Sequence, residues 1–304
     1  MESEKTLAEQ LEQHALRGFS KQIKRIQEVS QSLYHYTSLT SLMGMIETNR
    51  LWMSKGTFLN DSSELVYFSG ILKTVLDNME VPDKKDLWTL FTEQLQKALD
   101  HFMNEIAVSG FEVYVFSMSQ TDDSLALWYN YAKGDGYNIG FSAEELFGKI
   151  NHYLVETGLL HGFVVYSRRE QEGILEDLLM ESFDLISEYQ EEQVTSVLAD
   201  HFFSVMASCA IFFKDATFKS EEEYRIAIIS RGEVDGKVKF RARNGVIIPY
   251  IEVSFEENLP ISHITIGPKN NIDIAKSGIE HYIRSKGYDL ETISVSKSVA
   301  ALRY

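Results

Sequence analysis

Short runs of aromatic and β-branched residues recur along this chain, separated by helical stretches of unequal length, and this irregular interleaving most restricts its fold. The runs are Leu33-Tyr34-His35-Tyr36-Thr37, Leu51 to Ser54, Phe111 to Ser117, Tyr137 to Phe141, Phe163 to Tyr166, Ile226 to Ile229, Val246 to Ile248, His263 to Ile266 and Thr292 to Val295. A doubly wound parallel sheet needs regular βαβ spacing, which is missing, so the class predicted is α+β. Between the runs, Ser38 or Thr40 caps a helix through Glu47, residues 62–107 read as helical with a break near Pro82, and another helix falls near 272–286. Ser142 and Glu145 form a capping box. Residues 168–214 keep helical periodicity without a proline, which predicts two helices, and their stripe of Leu175, Leu178, Leu179 and Phe183 fits either a core or a partner surface. The organisation expected is an N-terminal helix over 1–30 and one domain over 31–304 containing the helical segment 168–214.

Composition narrows the function. With 45 acidic against 29 basic residues the formal charge is -16, so contact with nucleic acid or an anionic membrane would need a local basic patch. Lys214, Lys219, Arg225, Arg241 and Arg243 are the candidates for one. The single cysteine, Cys209, permits neither an internal disulfide nor a thiolate zinc cluster, and its apolar neighbours mark it as a small core residue. The N-terminus lacks the apolar core of a signal peptide, and no apolar stretch is expected to reach the roughly 18 residues that span a bilayer. A soluble, cytoplasmic protein is therefore expected.

Three spots carry residue types suited to chemistry. On a strand, His35 and Thr37 share a face, and an imidazole beside a hydroxyl can hold a sugar; a hydrogen-bonded core histidine is the alternative. If a strand starts by residue 221, Glu221, Glu223 and Arg225 share a face at the mouth of an apolar strand. Two carboxylates there suit general-base work or the stabilisation of a developing cation, whereas a solvated charge run would do neither. Third, Trp128 and Tyr131 sit one helical turn apart before Gly134-Asp135-Gly136, as core or as a ligand platform. Gly267-Pro268-Lys269 offers a weaker anion-binding turn. Walker, Rossmann and zincin signatures are missing.

In order, these segments resemble a known family. Leu33 to Thr37, Leu59-Asn60-Asp61 with Glu64, Phe116-Ser117, Trp128-Tyr129-Asn130-Tyr131, Gly136, Ile139-Gly140-Phe141, Lys214, Glu221 to Arg225, Gly267-Pro268, Ser298 and Arg303 follow the pattern of the bacterial domain of unknown function 2971. The family's usual tryptophan before the acidic strand is replaced by Phe218. That family looks like a distant relative of the ADP-ribosyltransferases, and some of its relatives act in anti-phage defence. The resemblance implies a split, two-sheet α+β fold with a nicotinamide dinucleotide in the cleft between the sheets. It implies Glu223 as the catalytic carboxylate with Glu221 as its partner, and His35 with Thr37 holding the nicotinamide-side ribose. Tyr131 or Trp128 would stack on nicotinamide, with Tyr36, Ser117 and Arg225 completing the NAD-binding set. The implied activity is transfer of ADP-ribose from NAD to a protein or nucleic acid, as in a defence or toxin-like effector, with no metal and no membrane, and with room for an inhibitory protein partner. A non-enzymatic nucleotide- or partner-binding module and an NAD glycohydrolase are the alternatives.

Overall fold

The computed structural model describes residues 6–22, 32–58, 64–80, 82–108, 112–133, 136–154, 159–230, 237–243 and 245–300. Among them are ten strands: β1 (Leu33–Thr37), β2 (Arg50–Lys55), β3 (Glu112–Ser119), β4 (Tyr137–Phe141), β5 (Leu159–Phe163), β6 (Glu223–Ser230), β7 (Lys239–Arg243), β8 (Val246–Ser254), β9 (Ile261–Ile266) and β10 (Ser294–Lys297). The helices are α1 (Leu7–Gln22), α2 (Leu39–Thr48), α3 (Glu64–Asn78), α4 (Lys85–Val108), α5 (Leu125–Tyr131), α6 (Ala143–Leu154), α7 (Arg168–Ile186), α8 (Glu191–Phe212) and α9 (Ile272–Ser285). The α+β class expected from the sequence is therefore correct, but the described strands join in one ten-stranded sheet and not in the two sheets that the resemblance implied. All strand pairs are antiparallel except β9 with β10.

The sheet forks at β3. Along one edge, β3 pairs with β6 from Glu112↔Ser230 to Ser119↔Glu223, and β6 in turn pairs with β5. The opposite edge is shared. β1 takes Ser119 through Tyr34, while β2 takes Val115 and Tyr114 through Ser54 and Lys55. Residues 116–118 on that edge pair with neither strand, so the arm β1-β4-β9-β10 and the arm β2-β8-β7 diverge around them.

Two cores hold the fork in place, and strand alternation assigns residues to each. Val113, Val115, Ala227 and Ile229 face a helical layer in which Leu7, Leu11 and Ala15 of α1 pack with Phe68, Phe91, Phe202 and the Leu175-Leu178-Leu179-Phe183 stripe of α7. That stripe is core. Tyr114, Phe116, Met118, Tyr224, Ile226 and Ile228 face the other side, against Leu42, Leu146 and Ile283 from α2, α6 and α9. Helix α8 corrects one expectation, because it is long and apolar enough to cross a membrane; 61% of its most apolar window is buried inside the protein. Cys209, on that helix, is fully buried as expected, and burial pushes its thiol pKa up.

Several local signals act as the sequence suggests. Ser38 caps α2 by accepting from the Ser41 amide, and the Ser142 hydroxyl accepts from the Glu145 amide at 3.5 Å. Gly136 is required for packing, since a Cβ there would lie 2.3 Å from the Thr37 carbonyl oxygen. The Gly267 amide, offered above as an anion donor, instead donates to the Gly136 carbonyl at 2.9 Å. Of the motif residues, Leu59-Asn60-Asp61, Gly134, Asp135 and Arg303 lie outside the described residues.

Candidate functional site

A cleft of about 840 Å³ opens where the two arms part. Its walls include His35, Thr37, Tyr36 and Tyr34 from β1, Trp52 and Ser54 from β2, and Ser117 from the unpaired edge of β3. Tyr131, Lys214, Glu221, Glu223 and Arg225 form the opposite side, and Arg241, Arg243 and Tyr250 close it from β7 and β8. The volume falls within the range of sites that enclose small molecules.

His35 sits at the fork. Its ring stacks on Phe116 with centroids 4.3 Å apart, and Nδ1 lies 2.8 Å from the Ser117 carbonyl oxygen. A carbonyl only accepts, so Nδ1 carries the proton and Nε2 is left as an acceptor on a ring that lines the cleft. Burial pushes the imidazole pKa down to about 4, against the Ser117 bond and with help from Arg241 and Arg243. The ring is neutral at pH 7. It suits accepting a hydroxyl hydrogen, as a sugar-holding group does.

The carboxylates come together in a way that strand alternation did not predict. β6 begins at Glu223, not at 221. Glu221 ends a 3₁₀ turn (Ala216–Glu221), and Glu222 follows with φ 42° in the left-handed region that few residues with a Cβ adopt. Bonds from the Gln120 amide to the Glu222 carbonyl (3.0 Å) and from the Thr121 hydroxyl to its carboxylate (2.8 Å) hold that conformation. The reversal brings both flanking carboxylates to Lys214, whose Nζ donates to Glu221 at 2.7 Å and to Glu223 at 3.1 Å. Arg225 grips Glu223 through Nε and Nη2, both at 2.9 Å, and its Nη1 donates to the Ile211 carbonyl at the end of α8. Tyr131 donates its phenol hydrogen to Glu221 at 2.9 Å.

All four charged groups of this network are buried. Burial works to raise the Glu223 carboxyl, but Arg225 and Lys214, with hydrogen bonds from Arg225 and Ser117, outweigh it and hold the pKa near about 2. For Lys214, burial and the neighbouring Arg225 oppose the charge, but Glu223 and the hydrogen-bonded Glu221 together outweigh them, so the pKa rises. Both groups are charged across the physiological range.

The aromatic pair of α5 divides. Tyr131 lines the cleft, whereas Trp128 is fully buried, edge-on to Tyr36, with its indole N–H donating to Asp123 at 2.6 Å. Trp128 thus does not reach the cleft, and of the two aromatics considered for stacking only Tyr131 lines it. Asp123 also accepts from Ser298 and from the Val299 amide, fastening the C-terminal segment. Tyr36 is similarly engaged: its hydroxyl donates to the Thr121 carbonyl and accepts from the Ser124 amide, which fixes the loop before α5.

The far wall was missed by sequence reasoning. Arg241 and Arg243 stand at alternate positions of β7 and belong to the cleft, not to an exposed basic patch. Lys214 and Arg225, counted in the same patch, are buried in the carboxylate network, and Lys219 alone of the five is exposed. The signal that finds β7 is its turn, because Gly245 adopts φ 80° between β7 and the apolar start of β8. Among the described lining residues, five lysines and arginines face two carboxylates, an electropositive hollow in a chain of net charge -16.

Residues 127–226 match the family described as Protein of unknown function (DUF2971). That segment runs from α5 into β6 and carries Tyr131, Lys214, Glu221, Glu223 and Arg225. No curated protein and no solved structure matches the chain.

Proposed function

We propose that this chain, which belongs to the DUF2971 family through residues 127–226, binds NAD in the forked cleft and transfers its ADP-ribose to a macromolecule. The observation that carries this reading is convergence: His35 and the pair Glu221/Glu223, nearly two hundred positions apart, line one cleft with Ser117 and Tyr131 between them. A split α+β sheet with a histidine on one arm and a Glu-x-Glu carboxylate pair beside it fits the ADP-ribosyltransferase-like arrangement that the sequence resembles. The surplus of cations in the cleft fits a ligand carrying a pyrophosphate.

The chemistry required is cleavage of the bond from ribose C1′ to the nicotinamide nitrogen. The bonding pair leaves with nicotinamide, and the acceptor nucleophile forms the new bond at C1′ while losing its proton to a base. The ribose gains oxocarbenium character on the way, as in glycoside cleavage. In this reading Glu223 stays ionised and lies against the ribose to stabilise that charge, which is effective where water is excluded. In the same reading Glu221, tied to Lys214 and Tyr131, takes the acceptor's proton. His35 accepts from a ribose hydroxyl at Nε2, and the Tyr131 ring covers the nicotinamide. A protein acceptor is favoured over nucleic acid, because the arginines proposed to serve an exposed basic patch lie inside the cleft.

One feature favours a second reading. Arg225 and Lys214 together neutralise Glu223, and a fully compensated carboxylate also suits a binding module whose cleft retains a nucleotide without cleaving it. Incubating the purified chain with NAD labelled in the adenylate half and a cell lysate separates the readings. The transferase predicts label on protein, dependent on Glu223. Free labelled ADP-ribose would mean a glycohydrolase, and intact NAD retained by the chain would mean a binding module.

A further inference from the structure

Arg241 and Arg243 are held in an arrangement that the protein alone does not compensate. Arg243 makes no hydrogen bond or ion pair among the described residues, and Arg241 has a single hydrogen bond, from Nη2 to the Ser54 hydroxyl at 2.7 Å. The Nε of Arg241 is buried without a partner. Its guanidinium lies over the rings of Trp52 and Tyr250, at 5.6 and 5.4 Å from their centroids. Burial lowers the pKa of both arginines, and each lies close enough for Arg243 to lower Arg241 further, to about 10. Two like charges, partly desolvated and without a carboxylate between them, are costly unless an anion joins them.

We infer that Arg241 and Arg243 form a pyrophosphate subsite in the cleft, with Ser54 as a hydroxyl neighbour and Trp52 as its aromatic wall. Three observations converge on it: paired guanidinium forks on one strand face, no described counter-ion, and an orphaned buried N–H on one of them. Guanidinium forks match phosphate oxygens bidentately, and a diphosphate offers one phosphate to each arginine. The choice of a diphosphate over a single phosphate rests on the nucleotide reading above; the anion site itself stands on geometry. The distribution of charge agrees, since a chain of net charge -16 repels polyanions everywhere except at such a local hollow.

The test is calorimetric titration of the full chain with inorganic pyrophosphate and with ADP-ribose, beside Arg243→Gln, Arg243→Lys and Lys239→Gln. Lys239 lies on the same strand but pairs with Glu252 outside the cleft. Arg243→Gln should weaken both ligands by about tenfold to a hundredfold, the range for hydrogen bonds to a charged group. Arg243→Lys should recover part of that loss, and Lys239→Gln should change affinity by less than about twofold. Failure of the wild type to bind pyrophosphate, or equal weakening by Lys239→Gln, overturns the subsite; circular dichroism melting of each variant establishes that it is folded. If pyrophosphate binds through Arg243 but NAD is never cleaved, the transferase reading fails and the subsite stands. If NAD is cleaved with KM unchanged in Arg243→Gln, the subsite fails and the transferase reading stands.

Discussion

The two walls of the cleft carry similar cations in opposite circumstances. On the α8–β6 side, Lys214 and Arg225 are buried against Glu221 and Glu223, and each carboxylate has at least two donors. On the β7 side, Arg241 and Arg243 are half-buried and form no ion pair with a described carboxylate. A compensated network is a structural element whose disruption leaves a buried charge stranded, whereas uncompensated cations cost stability until a ligand arrives. The same cleft thus separates residues that keep its shape from residues whose charge remains available.

The comparison predicts unequal effects of removing an arginine. Arg225→Gln strands Glu223 and gives up the bond to Ile211, and should cost about 3–5 kcal/mol in chemical denaturation. Acid should act next. His35 is held neutral with its pKa lowered from 6.5 to about 4, so the unfolded chain binds more protons in that window and stability falls as pH drops from about 6.5 towards 4. The loss should be on the order of 3 kcal/mol from His35, with a comparable further share from buried His201, whose pKa is also lowered, to about 3. A His35→Gln variant should lose only the His201 share. Glu223, lowered from 4.5 to about 2, adds a second loss below pH 4.5. Tyr131→Phe removes one hydrogen bond to Glu221 and should cost about 1 kcal/mol. Arg243→Gln should leave stability within about 0.5 kcal/mol of the wild type, or raise it, because it relieves like-charge repulsion and breaks no described pair. Equal destabilisation by Arg225→Gln and Arg243→Gln, read as denaturation midpoints, would erase the distinction between the walls.

Most apolar strands and the long helices were legible because their pattern is local, although the strand expected over Phe163 to Tyr166 lies instead at Leu159–Phe163. β1, β4 and α9 lie where their side chains predict, and α7 and α8 divide the segment 168–214 as its periodicity implies. β7 was not legible: Lys239-Phe240-Arg241-Ala242-Arg243 alternates charge with exposed positions on an edge strand, which reads as a polar loop. The carboxylate site was half legible. Alternation put Glu223 and Arg225 on one face, but Glu221 arrives by a left-handed residue at Glu222 held by Gln120 and Thr121, a tertiary cause that no local pattern encodes. Trp128 and Tyr131 were equivalent candidates in sequence; Asp123, which draws the indole inward, distinguishes them. The meeting of His35 with the carboxylates depends on how β1 and β2 share β3, and only the family resemblance anticipated it.

The most direct test of the proposed chemistry is nicotinamide release from NAD by the purified chain, with and without the lysate that supplies an acceptor, for the wild type and for Glu223→Gln. Release by the wild type that falls at least about a hundredfold in the variant, while ADP-ribose still binds both, is the predicted result. A wild type that releases no nicotinamide under either condition, or a variant that releases it at the wild-type rate, would contradict a cleavage site built around Glu223.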